Sequence, residues 1–426
     1  MNPRTVTVLD LDQDVQAARS ATRSILAAAD HLSVAAALRP RVEKAAAIAA
    51  VHAADVDRLS RFPQEAVAAL RAERLLGIAV PKELGGEGAS VSEIADVCYA
   101  LGRACASTAM IYAMHQTKVA CIVRHHRSND GLASAWHQAL LRRLAAEQLL
   151  LASSTTEGQS GGDVRNSVAP IERQETRQGA RIRLERQATV ISYGKAADGI
   201  VTTARRAADA PSSDQVLTVF LKADYTLNPV SGWDAFGMRG TCSEGFRLVA
   251  SGSSEQILPV GYDKIHAQTM MPVAHLLWSS AWAGIAAAAV SRARDFVRNA
   301  SQRSGGTLPP AAAHLTRAKV SLRSLNSLIA TALRRFEAAD GQTLETIDFQ
   351  TGMNLHKVNA SELAVATVMS AMQCCGLAGY RNDGEFSIGR HLRDILSSPI
   401  MINNDRILAN AATASLVSGI PDSLAD

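Results

Sequence analysis

The apolar positions of this chain follow a helical repeat at both ends and a strand-like pattern in the middle. Between about residues 16 and 150, apolar residues recur every three to four positions, as at Val42, Ala45, Ala46 and Ala49. From residue 151 to about residue 265, short β-prone runs are separated by Gly, Asp, Pro and Ser. Helical spacing resumes from Met270 to the end. The pattern predicts helices, then strands, then helices.

This order predicts three domains in a mainly α protein. We expect an N-terminal helical domain at residues 1–150, a middle β-domain at 151–268 and a C-terminal helical domain at 269–426. A chain of 426 residues is long enough to bury a large core.

One stretch, residues 270–290, is almost wholly apolar and about long enough to cross a bilayer. Pro272, His275 and two serines interrupt it, and small residues dominate its second half. A small-residue face lets helices approach closely, so we interpret the stretch as a buried helix of a bundle and expect no membrane association.

Charge and cysteine usage narrow the class of partner. The chain has 44 basic and 40 acidic residues with no dense basic run, which argues against nucleic acid or an anionic membrane as the partner. A small-molecule ligand is therefore expected. The six cysteines show no CxxC pair and no metal-ligand spacing, which indicates reduced thiols, no metal site and a cytoplasmic location. Acidic residues near the start, such as Asp10 and Asp12, argue against a signal peptide.

The segment at residues 151–163, LASSTTEGQSGGD, lies where helical spacing gives way to strands. Its hydroxyls supply donors for a planar heteroaromatic ring, and its paired glycines let backbone approach a ligand closely. Taken alone, such a run is more typical of a solvated loop.

Further motifs agree with this segment. They are PKELGGEG at residues 81–88, GMRGTCS at 237–243, GLAGY at 376–380 and RHLRD at 390–394. In this order and spacing, over about residues 34–416, the chain resembles the acyl-CoA dehydrogenase superfamily. The resemblance implies an FAD enzyme with a central β-barrel and a C-terminal four-helix bundle. It also implies a homotetramer or homodimer with FAD between subunits.

The resemblance also assigns roles to residues. Cofactor contacts fall on Thr155, Thr156, Ser192, Arg303, Gln373, Gly376 and Asn404. Hydroxyl donors suit a reduced flavin, because negative charge develops on its ring. For Ser192 considered alone, an ordinary strand hydroxyl remains the simpler interpretation.

The substrate side is less regular. Gly162 stands where the family often has a serine directed at substrate. His115 matches a helix that lines the acyl pocket, although a lone histidine among apolar neighbours is usually a hydrogen-bonded core residue. Trp278 is a candidate pocket wall or a core residue.

The chain departs most from the family at the catalytic base. The position of the usual glutamate falls on Ile402, and the alternative position on the first bundle helix falls on Ala274. His275 is a candidate base or carbonyl-orienting group, or else a buried structural histidine. Asp405 is a second candidate, or else a carboxylate that caps a helix.

The predicted function is that of a flavin-dependent oxidoreductase. It would oxidise the α,β bond of an acyl thioester, carried by CoA or a carrier protein, with hydride transfer to flavin and re-oxidation by an electron-transfer partner or oxygen. Two alternatives keep the fold. One is a monooxygenase that uses reduced flavin, and the other is a non-catalytic flavin-binding scaffold.

Overall fold

The structure is a computed structural model that describes residues 36–128, 130–157, 164–177, 179–417 and 419–420. The chain divides into two compact units, residues 1–41 and residues 42–426. In the first unit, the described residues 36–41 are helical.

The second unit begins with five helices. They are α1 (42–58), α2 (Gln64–Ala72), α3 (Val91–Ala104), α4 (Ala106–His125) and α5 (Ala135–Glu147). Helix α3 begins at a capping box, in which the Ser90 hydroxyl accepts from the Glu93 amide and the Glu93 carboxylate accepts from the Ser90 amide. Helix α4 is buried on nearly every side, so it forms the centre of this helical region.

Seven strands follow. They are β1 (Leu151–Ser154), β2 (Glu172–Thr176), β3 (Gly179–Ile191), β4 (Gly199–Arg205), β5 (Gln215–Leu221), β6 (Tyr225–Ser231) and β7 (Glu244–Ser253). One sheet has the order β1-β4-β5, with β1 parallel to β4. The other is an antiparallel sheet of order β2-β3-β7-β6, with a register shift between Ala188 and Ile191.

The prediction of a closed β-barrel is wrong, because the two sheets do not close on each other within the described residues. A barrel needs continuous strand pairing around its circumference. Here β4 and β5 are buried along almost their whole length on both faces, because helices and the larger sheet cover the smaller sheet. The middle region is therefore a pair of packed sheets.

The chain then returns to helices. They are α6 (Tyr262–Ile265), a π turn (His266–Met270), α7 (Met271–Arg303), α8 (Ala312–Ala338), α9 (Gly341–Glu345), α10 (Ile347–Cys375), α11 (Leu377–Tyr380), α12 (Gly389–Ile395) and α13 (Asn404–Ala414). The long helices α7, α8 and α10 pack together, and α12 and α13 lie on α10. The predicted order of helices, strands and helices is confirmed.

Helix α7 is the apolar stretch that resembled a membrane span. By length and composition, the helical segment Tyr262–Arg303 is long and apolar enough to cross a membrane. However, 83% of its most apolar window is buried inside the protein. The prediction of a buried helix is confirmed. Its small residues allow close contact with α3, since a Cβ on Gly284 would lie 2.2 Å from the Tyr99 carbonyl oxygen.

We expect Gly284→Ala to destabilise the protein, because its new methyl group meets backbone atoms of α3. Overpacking of this kind costs about 1–3 kcal/mol of unfolding free energy. The control is Gly352→Ala on α10, where a Cβ meets no atom within 4 Å. The control should gain up to about 1 kcal/mol from helix propensity. Equal urea midpoints for the two variants would contradict the close contact between Gly284 on α7 and the backbone of α3.

Candidate functional site

A cavity of about 830 Å³ lies where the helices meet the ends of β1 and β3. This volume is within the range of small-molecule sites. Each helix presents one stripe to it, as α4 does with Met110, Met114, Thr117 and Lys118, which share a helical face. The remaining apolar wall comes mainly from the residues Met270, Met271, Trp278, Ile400, Met401, Ile402 and Ile407.

Hydroxyl groups line the part of the wall contributed by the β region. The residues are Ser153, Thr155, Thr156, Ser192, Thr241 and Ser243. Thr155 follows the end of β1, and Ser192 follows the end of β3, so strand ends bring them together. The Ser243 hydroxyl lies 2.8 Å from that of Ser192 and 2.7 Å from that of Thr241. Three predicted cofactor residues, Thr155, Thr156 and Ser192, therefore face one cavity.

The loop at residues 233–243 is held against α12 by a hydrogen bond and a close backbone contact. The Met238 amide donates to the Asp394 carboxylate at 2.7 Å. A Cβ on Gly237 would lie 2.0 Å from the Arg393 carbonyl oxygen, so only glycine fits this approach. Burial raises the pKa of Asp394 to about 6. This carboxyl thus fixes a wall of the cavity.

Ile402 and Ala274, the two positions where the resemblance predicts a catalytic glutamate, both line the cavity. Neither side chain can accept a proton. Ile402 has a φ of 50°, in the left-handed region that β-branched residues rarely adopt. Such strain costs about 1–3 kcal/mol and is concentrated at functional sites.

His275 also lines the cavity. Its Nδ1 lies 3.2 Å from the Met353 carbonyl oxygen, which can only accept, so Nδ1 carries the proton. Burial is the main cause that lowers the pKa of His275 to about 3, with a smaller contribution from the nearby Lys357. The imidazole is therefore neutral at physiological pH. Trp278, with its ring 5.8 Å from that of His275, has a buried indole N–H without a partner in the described residues.

Other predicted residues lie outside the cavity wall. Asp405 is exposed at the start of α13, where its amide donates to the Asn403 side chain. Asn404 is buried, accepts from the Lys357 amine at 2.7 Å and donates to the Ser361 hydroxyl at 3.0 Å. These contacts tie α13 to α10.

His115 is a hydrogen-bonded core residue. Its Nε2 lies 2.9 Å from the Leu76 carbonyl oxygen, and its Nδ1 accepts from the Leu151 amide at 3.0 Å. Both ring nitrogens are thus engaged with backbone, and the side chain does not line the cavity.

The remaining predicted positions stand apart from the site. Arg303, Gln373 and Gly376 are exposed on the bundle, outside the cavity wall. Gly162 lies outside the described residues.

Sequence reasoning missed Lys118. It lies in the cavity wall with 5% of its surface exposed, and its amine is 2.7 Å from the Met270 sulfur. Burial lowers the pKa of Lys118 to about 8. The available signal was a single lysine in a helix whose residues are mostly apolar.

We expect Asp394→Asn to weaken the pH dependence of stability. The folded pKa is raised, so the protonated carboxyl stabilises the fold fully below about pH 4, and this contribution is lost as the pH rises through about 6. The asparagine oxygen can still accept from the Met238 amide. Between pH 5 and pH 8, the wild type should lose on the order of 1–3 kcal/mol that the variant retains.

Thermal midpoints at the two pH values measure this difference. The control is Asp209→Asn, at an exposed turn residue, which should keep the wild-type pH dependence. A decline in Asp394→Asn as steep as in the wild type would show that another group causes it.

Several known proteins are similar to this chain. The family described as acyl-CoA dehydrogenase, N-terminal domain, matches residues 30–142, and its C-terminal domain matches residues 266–416. The probable acyl-CoA dehydrogenase fadE25 of Mycobacterium leprae is 34% identical over 134 residues, which is 32% of this chain and 32% of that protein's length.

Two longer matches carry different names. Mitochondrial isovaleryl-CoA dehydrogenase of Solanum tuberosum is 26% identical over 354 residues, or 81% of each chain. Amino sugar nitrososynthase DnmZ of Streptomyces peucetius is 26% identical over 366 residues, 82% of this chain and 84% of that one.

Solved structures share the fold. FMN-bound TdsC from Paenibacillus sp. A11-2, a dibenzothiophene monooxygenase, has a TM-score of 0.74 at 16% identity and covers 91% of this chain and 99% of that one. Butyryl-CoA dehydrogenase from Megasphaera elsdenii has a TM-score of 0.72 at 18% identity and covers 89% and 98%. At these identities the likeness shows the fold alone. Since the two domain matches together span more than half of its residues, the chain belongs to the acyl-CoA dehydrogenase superfamily, whose members are generally flavin oxidoreductases.

Proposed function

We propose that the chain binds FAD and oxidises the α,β carbon–carbon bond of an acyl thioester, carried by CoA or by a carrier protein. One observation carries the proposal. One cavity joins hydroxyls at strand ends to an apolar wall of helices that includes Ile402 and Ala274, where the resemblance predicts the catalytic base.

The hydroxyl side suits the flavin ring. Thr155, Thr156 and Ser192 offer donors where a planar heteroaromatic ring with nitrogen and oxygen acceptors needs them. When bound, the flavin supplies the two-electron acceptor for a hydride. Arg303, Gln373 and Gly376 are exposed, which fits a cofactor whose far end lies against a second subunit, as in a homotetramer or homodimer.

The apolar side suits an acyl chain. Met110, Met114, Met270 and Met271 supply flexible, polarisable thioethers that adapt to an apolar ligand. The unpartnered indole N–H of Trp278 is available to a polar atom of the substrate, such as the thioester carbonyl oxygen.

A second candidate is a monooxygenase that uses reduced flavin and oxygen. The observation in its favour is that Ile402 and Ala274 leave both base positions without a carboxylate, and His275 is too weakly basic to replace one. Relatives named as a nitrososynthase and a monooxygenase share the fold. The third candidate, a non-catalytic flavin scaffold, would bind flavin and catalyse neither reaction.

An anaerobic absorbance titration separates these functions. Saturated acyl thioesters of graded length should bleach the flavin band of the holoenzyme, because the substrate's hydride reduces the flavin. If no thioester bleaches it, thioester oxidation is rejected. Oxygen uptake and product oxygenation with reduced flavin would then support the monooxygenase. Absence of both thioester oxidation and oxygenation would support the non-catalytic scaffold.

We also expect the double variant Thr155→Val, Thr156→Val to bind FAD more weakly. Loss of two hydrogen bonds at about 0.5–1.5 kcal/mol each raises the dissociation constant roughly 5- to 150-fold. Quenching of flavin fluorescence on titration measures it. The control is Thr226→Val, the same change at an exposed residue of β6. Unchanged affinity in the double variant would remove these threonines from the flavin site.

A further inference from the structure

Oxidation of a thioester requires an acceptor for the α-proton, and the expected acceptors are missing from the cavity. Ile402 and Ala274 have none, and Asp405 lies outside the wall. Among the described residues of the cavity wall, Glu345 is the one that carries a carboxylate. Its side chain is exposed, and it accepts a hydrogen bond from the Gln268 side-chain amide at 2.5 Å.

Lys118 lines the same cavity as the two base positions that the resemblance implies. Its amine is 2.7 Å from the sulfur of Met270, which is four residues before Ala274. Both residues line the cavity, and four residues span about one helical turn, roughly 5–6 Å. Lys118 therefore lines the cavity from α4, and its amine contacts a residue one helical turn along the chain from Ala274, where the resemblance places a glutamate.

The surroundings of this amine disfavour its charged form. A thioether is a weak acceptor, and in the part of the chain that the structure describes Lys118 has no ion-pair partner. Cys121, one turn along α4, stays a neutral thiol because burial raises its pKa to about 12. From the π turn and α7, His266 and His275 face the same cavity. Desolvation leaves Lys118 with a pKa of about 8, near the optimum for a general base at physiological pH.

We propose that Lys118, as the neutral amine, accepts the α-proton of the acyl thioester. The Cα–H bond breaks, its electron pair remains on the substrate as the enolate, and the new N–H bond converts the amine to ammonium. Flavin, when bound beside Thr155, Thr156 and Ser192, would supply the two-electron oxidant that accepts the β-hydride. This inference rests on the proposed function.

The test isolates the proton step with phenylacetyl-CoA, which has α-protons and no β-hydrogen. We measure exchange of these protons in D₂O by NMR with the holoenzyme. Lys118→Met should slow exchange about 10²- to 10⁴-fold, the usual contribution of a general base. The matched control Lys319→Met, at an exposed residue of α8, should exchange at the wild-type rate.

The pH dependence is a second readout. Only the unprotonated amine accepts a proton, so the wild-type exchange rate should rise tenfold per pH unit below about 8 and level off above it. Lys118→Arg keeps a cation that cannot deprotonate, and it should be as slow as Lys118→Met. Flavin content and thermal midpoint establish that the variants are folded, and the apolar methionine should melt at or above the wild type.

The outcomes separate the two proposals. Exchange in Lys118→Met as fast as in the wild type overturns the base assignment. Wild-type-like exchange in Lys118→Arg also overturns it, since a fixed cation would then suffice. If the wild type bleaches with saturated thioesters while both variants bleach equally fast, the base assignment fails and the proposed function stands. If the wild type neither exchanges nor bleaches, both fail.

Discussion

The close contact of α7 with α3 is the constraint on which the cavity depends. Gly102 and Gly284 bring the two backbones so near that a Cβ on Gly102 would lie 2.3 Å from the Ala281 carbonyl oxygen. Interiors are close-packed, so such a contact fixes the axial position of α7. The residues at the start of α7 and in the π turn before it then have a single place in the cavity wall.

Desolvation shifts the protonation equilibria of buried groups in the cavity wall and beside it. Lys118, His275 and Asp394 differ in chemistry, yet burial shifts the pKa of each toward its neutral form. A buried unpaired charge costs several kcal/mol, whereas a neutral amine, imidazole or carboxyl costs far less. Desolvation thus moves the protonation equilibria of Lys118 and Asp394 toward neutral pH, where each group can gain or lose a proton.

The sequence predicted those features that depend on local pattern. The buried α7 follows from its small-residue composition, and the hydroxyls of Thr155, Thr156 and Ser192 reach one cavity because each follows a strand end. Sheet closure was not predictable, since it depends on which outer strands meet. The core contacts of His115 and Asn404 also depend on partners from distant elements.

Lys118 was missed for the same reason. An isolated lysine in a helix normally extends its amine to water, and the packing of α4 against the π turn and α7 prevents this. Conversely, Arg303, Gln373 and Gly376 were chosen by motif, but they lie on the surface. Whether they contact a cofactor depends on a neighbouring subunit, which no spacing within one chain reveals.

The order of helices, strands and helices explains why one cavity has two kinds of wall. Strand ends place alternate short side chains and free backbone at an edge, which suits hydrogen bonding to a polar ring. Helix faces place long apolar side chains at intervals of three and four residues, which suits an alkyl or aromatic group. Where the two regions meet, a polar group and an apolar group of a ligand can therefore lie against each other. Among the buried titratable groups that the helices place in this wall, Lys118 has a pKa of about 8, whereas burial lowers the pKa of His275 to about 3.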